Sequence, residues 1–342
     1  MPGYSRIFFP SPPEESVAWR TKASLSSAWL NSPADTVPCE TEGDSRTVVN
    51  ETIVDGNGVT ITVTKPFGRI ISLYGAHTEN LFFLGLDKEI IGVSRNESWP
   101  EAALKKPRFS YHDGPEKFIA ASPDLVLVRP MIERGYGALI HRLRKTGITV
   151  ISLQPANVDE MYEYWISLGI LTGKKLIALD MVEKFKNRVA DYLSLTMDME
   201  QGEKKRVYFE AIHSKMKTFT PGSMALFALE TAGGINVAVD ARASRGTNIG
   251  NYGKEKILSR ASEIDVFLAQ KGTMNHTSVE TIKNEPGFSI IKAVKNNEIY
   301  IIDEMIVSRP CFRLLQGIET IGKILYPERF EQDGTFILRN RK

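Results

Sequence analysis

The feature that most constrains the fold is the stretch 174–196, KKLIALDMVEKFKNRVADYLSLT. Leu176, Leu179, Val182, Phe185, Val189 and Leu193 recur at steps of three and four, and Lys174, Lys175, Glu183, Lys184, Lys186, Asn187, Arg188 and Asp191 fill the other faces. That spacing predicts one amphipathic helix. It contains neither Gly nor Pro to bend it, and at about 1.5 Å per residue it would run roughly 35 Å, about the width of a small domain. Its position makes it read as a spacer, because the chain before it and the chain after it carry the same order of elements.

Before it, alternating apolar residues on either side of Asp55-Gly56-Asn57-Gly58 predict a hairpin. Short apolar strands follow at 69–73, 90–93, 125–128 and 148–153, separated by helices starting near Thr78, at 116–121 and at 137–145. Helix 159–171, capped by Asn157 or Asp159 and stopped by Gly173, leads into the long helix. After it the programme restarts: strands at 205–210, 235–239, 266–269 and 298–303, helices at 223–231, 255–261 and 279–284, and a last amphipathic helix from Cys311 to Leu325. Strands alternating with helices predict doubly wound, mostly parallel sheets. The expected organisation is an extension over 1–49, an α/β lobe over 51–155, a helical connection over 156–200, a second α/β lobe over 205–330 and a tail over 331–342.

The bulk numbers narrow the function. At 342 residues there is length for two lobes, each with a core. Forty-three Lys and Arg against forty-one Asp and Glu leave a formal charge of +2, so no global basic field argues for nucleic acid. Cys39 and Cys311 are too few and too far apart for a disulfide framework or a zinc site. No run of eighteen apolar residues occurs, so no integral membrane segment is expected.

Several runs carry a family resemblance: GRIISLYGAHTENLFFLGLDKEIIGVS, PEKFIAASPDLVLV, LRKTGITVISL, ISLGILTGKKLIALDMVEKF, ALETAGGINVAVD and AVKNNEIYIID. In this order, over about 51–330, the chain resembles the helical-strut substrate-binding proteins of ABC importers for ferric siderophores, haem and cobalamin. The resemblance implies two α/β lobes joined by one long helix, small hinge motion, a ligand in the cleft between the lobes, an ABC importer permease dimer as partner, and a periplasmic or cell-surface-tethered location. One departure stands out: neither a signal peptide nor a lipid-anchoring cysteine is evident, since Cys39 lacks small and aliphatic residues just before it. The resemblance also implies that Glu116 and Glu255, each at the start of a short helix before a strand, dock on the two permease subunits. A first-turn Glu facing the helix dipole is the local alternative. Both are expected near the amino ends or outer corners of the strands, away from the cleft.

Ligands of open parallel sheets bind beyond the carboxyl ends of the strands. The residues there are Tyr74, His77, Arg129, Met131, Arg134, Tyr136 and Gln154 in the first half, and His213, Lys215, Met216, Arg242, Arg245, Asn248, Lys271, Glu304 and Arg309 in the second. Each cation taken singly fits a solvated loop charge. Their excess in both halves favours an anionic ligand, because arginine forks suit carboxylate, catecholate or propionate oxygens and aromatic rings suit a flat chelate. His77 and His213 occupy analogous places and could clasp haem iron or a metal, although ordinary loop histidines read the same way. A bare transition metal would need a set of four donors, which no cluster supplies. The expected partner is therefore a small-molecule metal chelate, with no metal or cofactor held by the protein itself.

Enzyme signatures are missing: the sequence contains no G-x-G-x-x-G, P-loop, H-E-x-x-H, C-x-x-C or G-x-S-x-G. Gly233-Gly234 could cradle a phosphate, but reads first as a turn before a strand. The other class of function left open is a two-lobed α/β transferase with its substrate in the cleft.

Overall fold

In a computed structural model of the chain, residues 50–243 and 247–331 are described. The expected extension over 1–49 with Cys39, the tail beyond 331 and Arg245 lie outside them.

A hairpin of β1 (Glu51–Val54) and β2 (Thr60–Val63) comes first. Its turn is closed by Asp55, whose Oδ1 accepts the N–H groups of Asn57 and Val59, both at 2.9 Å. The first lobe is a five-stranded parallel sheet of β3 (Ile70–Ser72), β4 (Ile90–Ser94), β5 (Arg108–Phe109), β6 (Leu125–Val128) and β7 (Thr149–Ser152), in the order β5-β4-β3-β6-β7. The chain winds one way from β3 and then returns to its other side, which is the doubly wound pattern. The run Leu125-Val-Leu-Val128 is apolar throughout because both faces of a parallel sheet are covered. Leu125 and Leu127 face one core, and Val126 and Val128 the other.

The second lobe holds β8 (Arg206–Ile212), β9 (Lys217–Phe219), β10 (Ile235–Asn236), β11 (Arg242–Ala243), β12 (Ile249–Asn251), β13 (Val266–Lys271) and β14 (Ile299–Asp303), in the order β11-β12-β9-β8-β13-β14, with β10 also on β8. Here the sheet is mixed. β8, β13 and β14 are parallel, whereas β9, β12 and β11 follow one another antiparallel at the edge.

Helix Val158–Thr172 starts at Asn157, whose side chain accepts from Glu160 N, and stops at Gly173 with φ +71°. The long helix spans Lys175–Ser194, slightly shorter than expected, and its buried face is Ala178, Met181, Val182, Phe185 and Tyr192. Leu176, Leu179 and Leu193 are exposed, so that part of the expected stripe is corrected. Gly169 explains the change: a Cβ there would come within 2.6 Å of Ala178 Cβ, so the two helices pack backbone to backbone along the Ala178 face.

The long helix joins the two lobes, as expected, and it does so through packed rings. Trp165 and Phe185 meet edge to face at 5.2 Å between ring centroids, and Phe185 also meets Phe227 and Phe312 of the second lobe. One apolar cluster runs from Leu125 and Leu127 of β6 through these rings to Val207 and Phe209 of β8. Each lobe adds an outer core, around Phe109, Phe118 and Leu143 in the first and around Tyr208, Phe267 and Phe288 in the second. The long helix is thus the middle of a shared core.

Candidate functional site

Besides their shared core, the lobes touch at two places beyond the carboxyl ends of the strands. Beyond β4, the Ser98 hydroxyl donates to Met305 Sδ on helix Glu304–Val307, just after β14. Beyond β7, the carbonyl of Ala156 accepts from Asn248 Nδ2 at 2.9 Å, in the turn before β12. In the first sheet the strands between β4 and β7 are β3 and β6, so the residues following those two strands form the wall between the contacts.

Those residues are Tyr74 and Arg129. Tyr74 precedes helix Gly75–Phe83 and Arg129 precedes helix Pro130–Gly135. The Arg129 guanidinium lies over the Tyr74 ring, 4.5 Å from its centroid, and Arg129 Nε is buried with no protein partner. A stacked guanidinium keeps its donors in one plane, suited to an anion with paired oxygens. Burial holds the Tyr74 phenol protonated above its usual range despite the Arg129 charge. Next along the same edge, Tyr136 packs on Tyr111 and His112, with centroids 4.7 and 5.1 Å away, and its hydroxyl is 3.3 Å from His112 Nδ1. Tyr111 and His112 escaped the sequence reading because they follow β5, a strand of two residues with no period to detect.

At the lobe boundary lies a buried charge cluster that the sequence did not announce. Glu79, fully buried on helix Gly75–Phe83, accepts from Arg309 Nη1 at 2.6 Å and Arg313 Nε at 2.8 Å. Arg309 is therefore corrected from a free ligand donor to an interlobe partner of Glu79, with its guanidinium against Gly75, where any Cβ would collide with it. Arg313 also stacks on Trp99 at 4.8 Å. Asn80 Nδ2 and Trp165 Nε1 both donate to the Pro310 carbonyl, at 3.0 and 3.1 Å. Glu97, bonded through Oε1 to Ser94 and Thr78, has its other oxygen buried without a partner, and burial raises its pKa.

The two histidines are corrected too. His77 is 0% exposed, with Nδ1 2.6 Å from Tyr164 Oη and Nε2 3.2 Å from the Val128 carbonyl, so neither nitrogen is open to a ligand. Helix Gly75–Phe83 begins three residues before the expected Thr78, which turns His77 inward. Burial is the first cause that lowers its pKa, to about 3. A depressed imidazole stabilises the fold above its unfolded value near 6.5 and loses that contribution as pH falls towards 3. Wild-type protein should therefore destabilise steadily below about pH 6.5, and His77→Gln should flatten that slope in urea titrations from pH 7 to 4. An equal slope in both would exclude His77 as its source. His213 is 7% exposed and is bonded to Glu210 rather than presented to the cleft.

Met216, in the left-handed region at φ +46°, packs on the outer core of the second lobe. Arg134, Lys271 and Arg242 are exposed, on helix Pro130–Gly135, at the end of β13 and on edge strand β11. Met131, Gln154 and Lys215 are exposed as well. Glu304 accepts from Thr273 N at 3.0 Å, and Asn248 is taken up by its bond to Ala156. A hollow of about 350 Å³ between Ile119, His141, Arg142, Lys145 and Thr146 lies in the outer layer of the first lobe and includes neither Tyr74 nor Arg129.

Glu116 and Glu255 are exposed in the first turns of helices Pro115–Ala121 and Lys254–Ser259. Their expected polarity is reversed. β5 is parallel to β4, so the loop after it leaves the carboxyl edge, and helix Pro115–Ala121 starts there. Likewise Gly253 N donates to the carbonyl of Met216, just past β8, at 3.0 Å. Both carboxylates lie on the carboxyl edge of the strands, the edge that also carries Tyr74 and Arg129. A helix that returns to begin a parallel strand has to start at that edge.

Residues 70–305 match the periplasmic binding protein family. The chain belongs to that family. Among curated relatives it is 25% identical, over 91% of this chain and 96% of the other, to an uncharacterized ABC transporter substrate-binding lipoprotein of Bacillus subtilis. It is 22% identical to the vitamin B12-binding protein of Vibrio cholerae, over 76% and 90% of the two chains. Among solved structures, a possible iron-binding, periplasmic solute-binding protein from Staphylococcus epidermidis aligns with a TM-score of 0.65 and 28% identity, over 77% of this chain and 100% of that one. The chain is thus a substrate-binding protein of the ABC-transporter kind, with the two-lobed α/β architecture of its neighbours. Solute binding replaces the transferase alternative, since the family is not one of enzymes. Among the described residues no helix is long and apolar enough to cross a membrane.

Proposed function

We propose that this binding protein captures an anionic metal chelate, a ferric siderophore or a haem or corrinoid, outside the cytoplasm and delivers it to the permease dimer of an ABC importer. The observation that carries the reading is the Arg129–Tyr74 stack, an arginine with an unpartnered buried nitrogen on the wall between the two interlobe contacts. The Tyr111–His112–Tyr136 group supplies flat polarisable surface beside it. Glu116 and Glu255 are the docking carboxylates of the two lobes. Their common setting, a first-turn Glu two residues after the N-cap Gly114 or Gly253, supports a shared role.

The test is spectroscopic. Protein offered haem, a corrinoid and ferric catecholate and hydroxamate siderophores should bind one class with a shifted visible spectrum. Arg129→Ala should weaken that binding by roughly 1.5–3 kcal/mol, about ten- to a hundred-fold, as expected for a charged hydrogen bond. Glu116→Arg with Glu255→Arg should leave affinity intact and abolish stimulation of the importer's ATPase. Binding of none of these chelates, or full affinity in Arg129→Ala, would overturn the assignment.

A further inference from the structure

Beneath the docking carboxylate of the second lobe runs a chain of charges that the binding site does not use. Glu210, on the outer face of β8, is wholly buried; one carboxylate oxygen lies 2.8 Å from His213 Nδ1 and the other has no partner. His213 Nε2 lies 3.5 Å from Glu285 Oε2. Glu285 Oε1 is in turn ion-paired with Lys254 Nζ. Lys254 is the first residue of helix Lys254–Ser259, and Glu255 is the next. The same corner is tied by its backbone, because Tyr252 N and Gly253 N both donate to the Met216 carbonyl, at 3.2 and 3.0 Å. Around the imidazole, β8 contributes Glu210, the segment after helix Val279–Lys283 contributes Glu285, the 3-10 turn Phe288–Ile290 sets the Phe288 ring edge-on, and Asn275 Oδ1 accepts the His213 backbone N–H. The Tyr208 hydroxyl, also buried without a partner, senses the Glu210 charge.

The charge balance of this chain turns on one proton. With His213 charged, two carboxylates alternate with two cations and the cluster is neutral. With His213 neutral and its one proton on Nδ1 toward Glu210, Glu210 keeps a buried carboxylate without a cation, and Nε2 turns a lone pair toward Glu285, which is left with Lys254 alone. A buried charge stripped of its partner is strongly destabilising, so the cluster must then rebind a proton or loosen. The Glu210 hydrogen bond is the first cause that raises the His213 pKa, and burial raises that of Glu210, so both groups retain protons beyond their ordinary ranges. A raised folded value places the contribution below the unfolded value near 6.5 and removes it as pH rises through the folded one.

We infer that His213 is a positioning residue for docking: the Glu210–His213–Glu285–Lys254 chain holds the start of helix Lys254–Ser259, and with it Glu255, only while the imidazole is charged. The inference adds a pH-dependence to the proposed docking role of Glu255 and rests on that reading for its purpose. Its physical content is tested without ligand or importer, so it fails or stands apart from that reading. Amide hydrogen exchange of the full chain, corrected for intrinsic rates, is followed over residues 252–259 at pH 6 and pH 9. Protection in the wild type should fall about ten-fold or more at the higher pH. Glu285→Gln, which cuts the chain and leaves the Glu210–His213 pair intact, should give low protection at both. His213→Gln should remove the pH-dependence, and an imidazole NMR titration of the wild type should follow the loss of protection. Unchanged protection between the two pH values, a pH-dependence that survives in His213→Gln, or full protection in Glu285→Gln would overturn it.

Discussion

Glu79→Ala should lower the melting temperature by roughly 5–10 °C. Glu79 is the only carboxylate that hydrogen-bonds both Arg309 and Arg313 among the described residues, and both arginine side chains are nearly buried. Removing one side of a buried ion pair costs about 3–5 kcal/mol, because the desolvated partners remain. A chain of this size loses roughly 1.5–2 °C per kcal/mol. The pair itself is a different matter from its disruption: Glu79→Leu combined with Arg309→Met and Arg313→Met should recover much of the loss, since apolar groups of similar volume need no counterion. Calorimetry on the two variants decides it. A loss below about 2 °C in Glu79→Ala would mean that water reaches the arginines and that the cluster is not closed.

Phe185→Ala should cost about 3–5 kcal/mol, the usual loss for an aromatic side chain removed from a packed core. Its ring is wholly buried and meets Trp165 from the connection and Phe227 and Phe312 from the second lobe. Unfolding in guanidinium should remain one transition, coincident by tryptophan fluorescence and far-ultraviolet circular dichroism, because the cluster that loses the ring belongs to both lobes. Two separated transitions, or a cost under about 1 kcal/mol, would mean that the two lobes do not share this core.

The periodic parts of this chain could be read directly and the rest could not, for physical reasons. β6 is preceded by Pro123-Asp124 and is apolar throughout, and helix Val158–Thr172 carries an Asn cap and a Gly stop, so each announces itself locally. β9, β11 and β12 are two or three residues long and partly exposed, too short for alternation to appear, and the mixed edge of the second sheet was missed with them. Within the long helix the register of packing depended on Gly169 of its neighbour, which favours Ala178 over Leu176 at the interface. At the candidate site, Tyr74, Arg129 and Tyr136 could be placed together from the sequence because strand ends are where side chains of a parallel sheet converge. Arg309 looked like a ligand donor because its carboxylate lies 230 positions away, at Glu79, and no local pattern links them. His77 looked exposed because a helix start was misplaced by three residues, enough to move a side chain from the loop to the interior.

The aromatic bridge through Phe185 has a practical reading for anyone building a biosensor from this scaffold. Fluorophore pairs placed on opposite lobe tips depend on large closure, and a molecule whose halves share interlocked rings offers little travel, because packed cores resist continuous deformation. A single environment-sensitive dye beside His112 would instead report on the aromatic group itself, where, on the function proposed above, an arriving solute would displace solvent whether or not the lobes move.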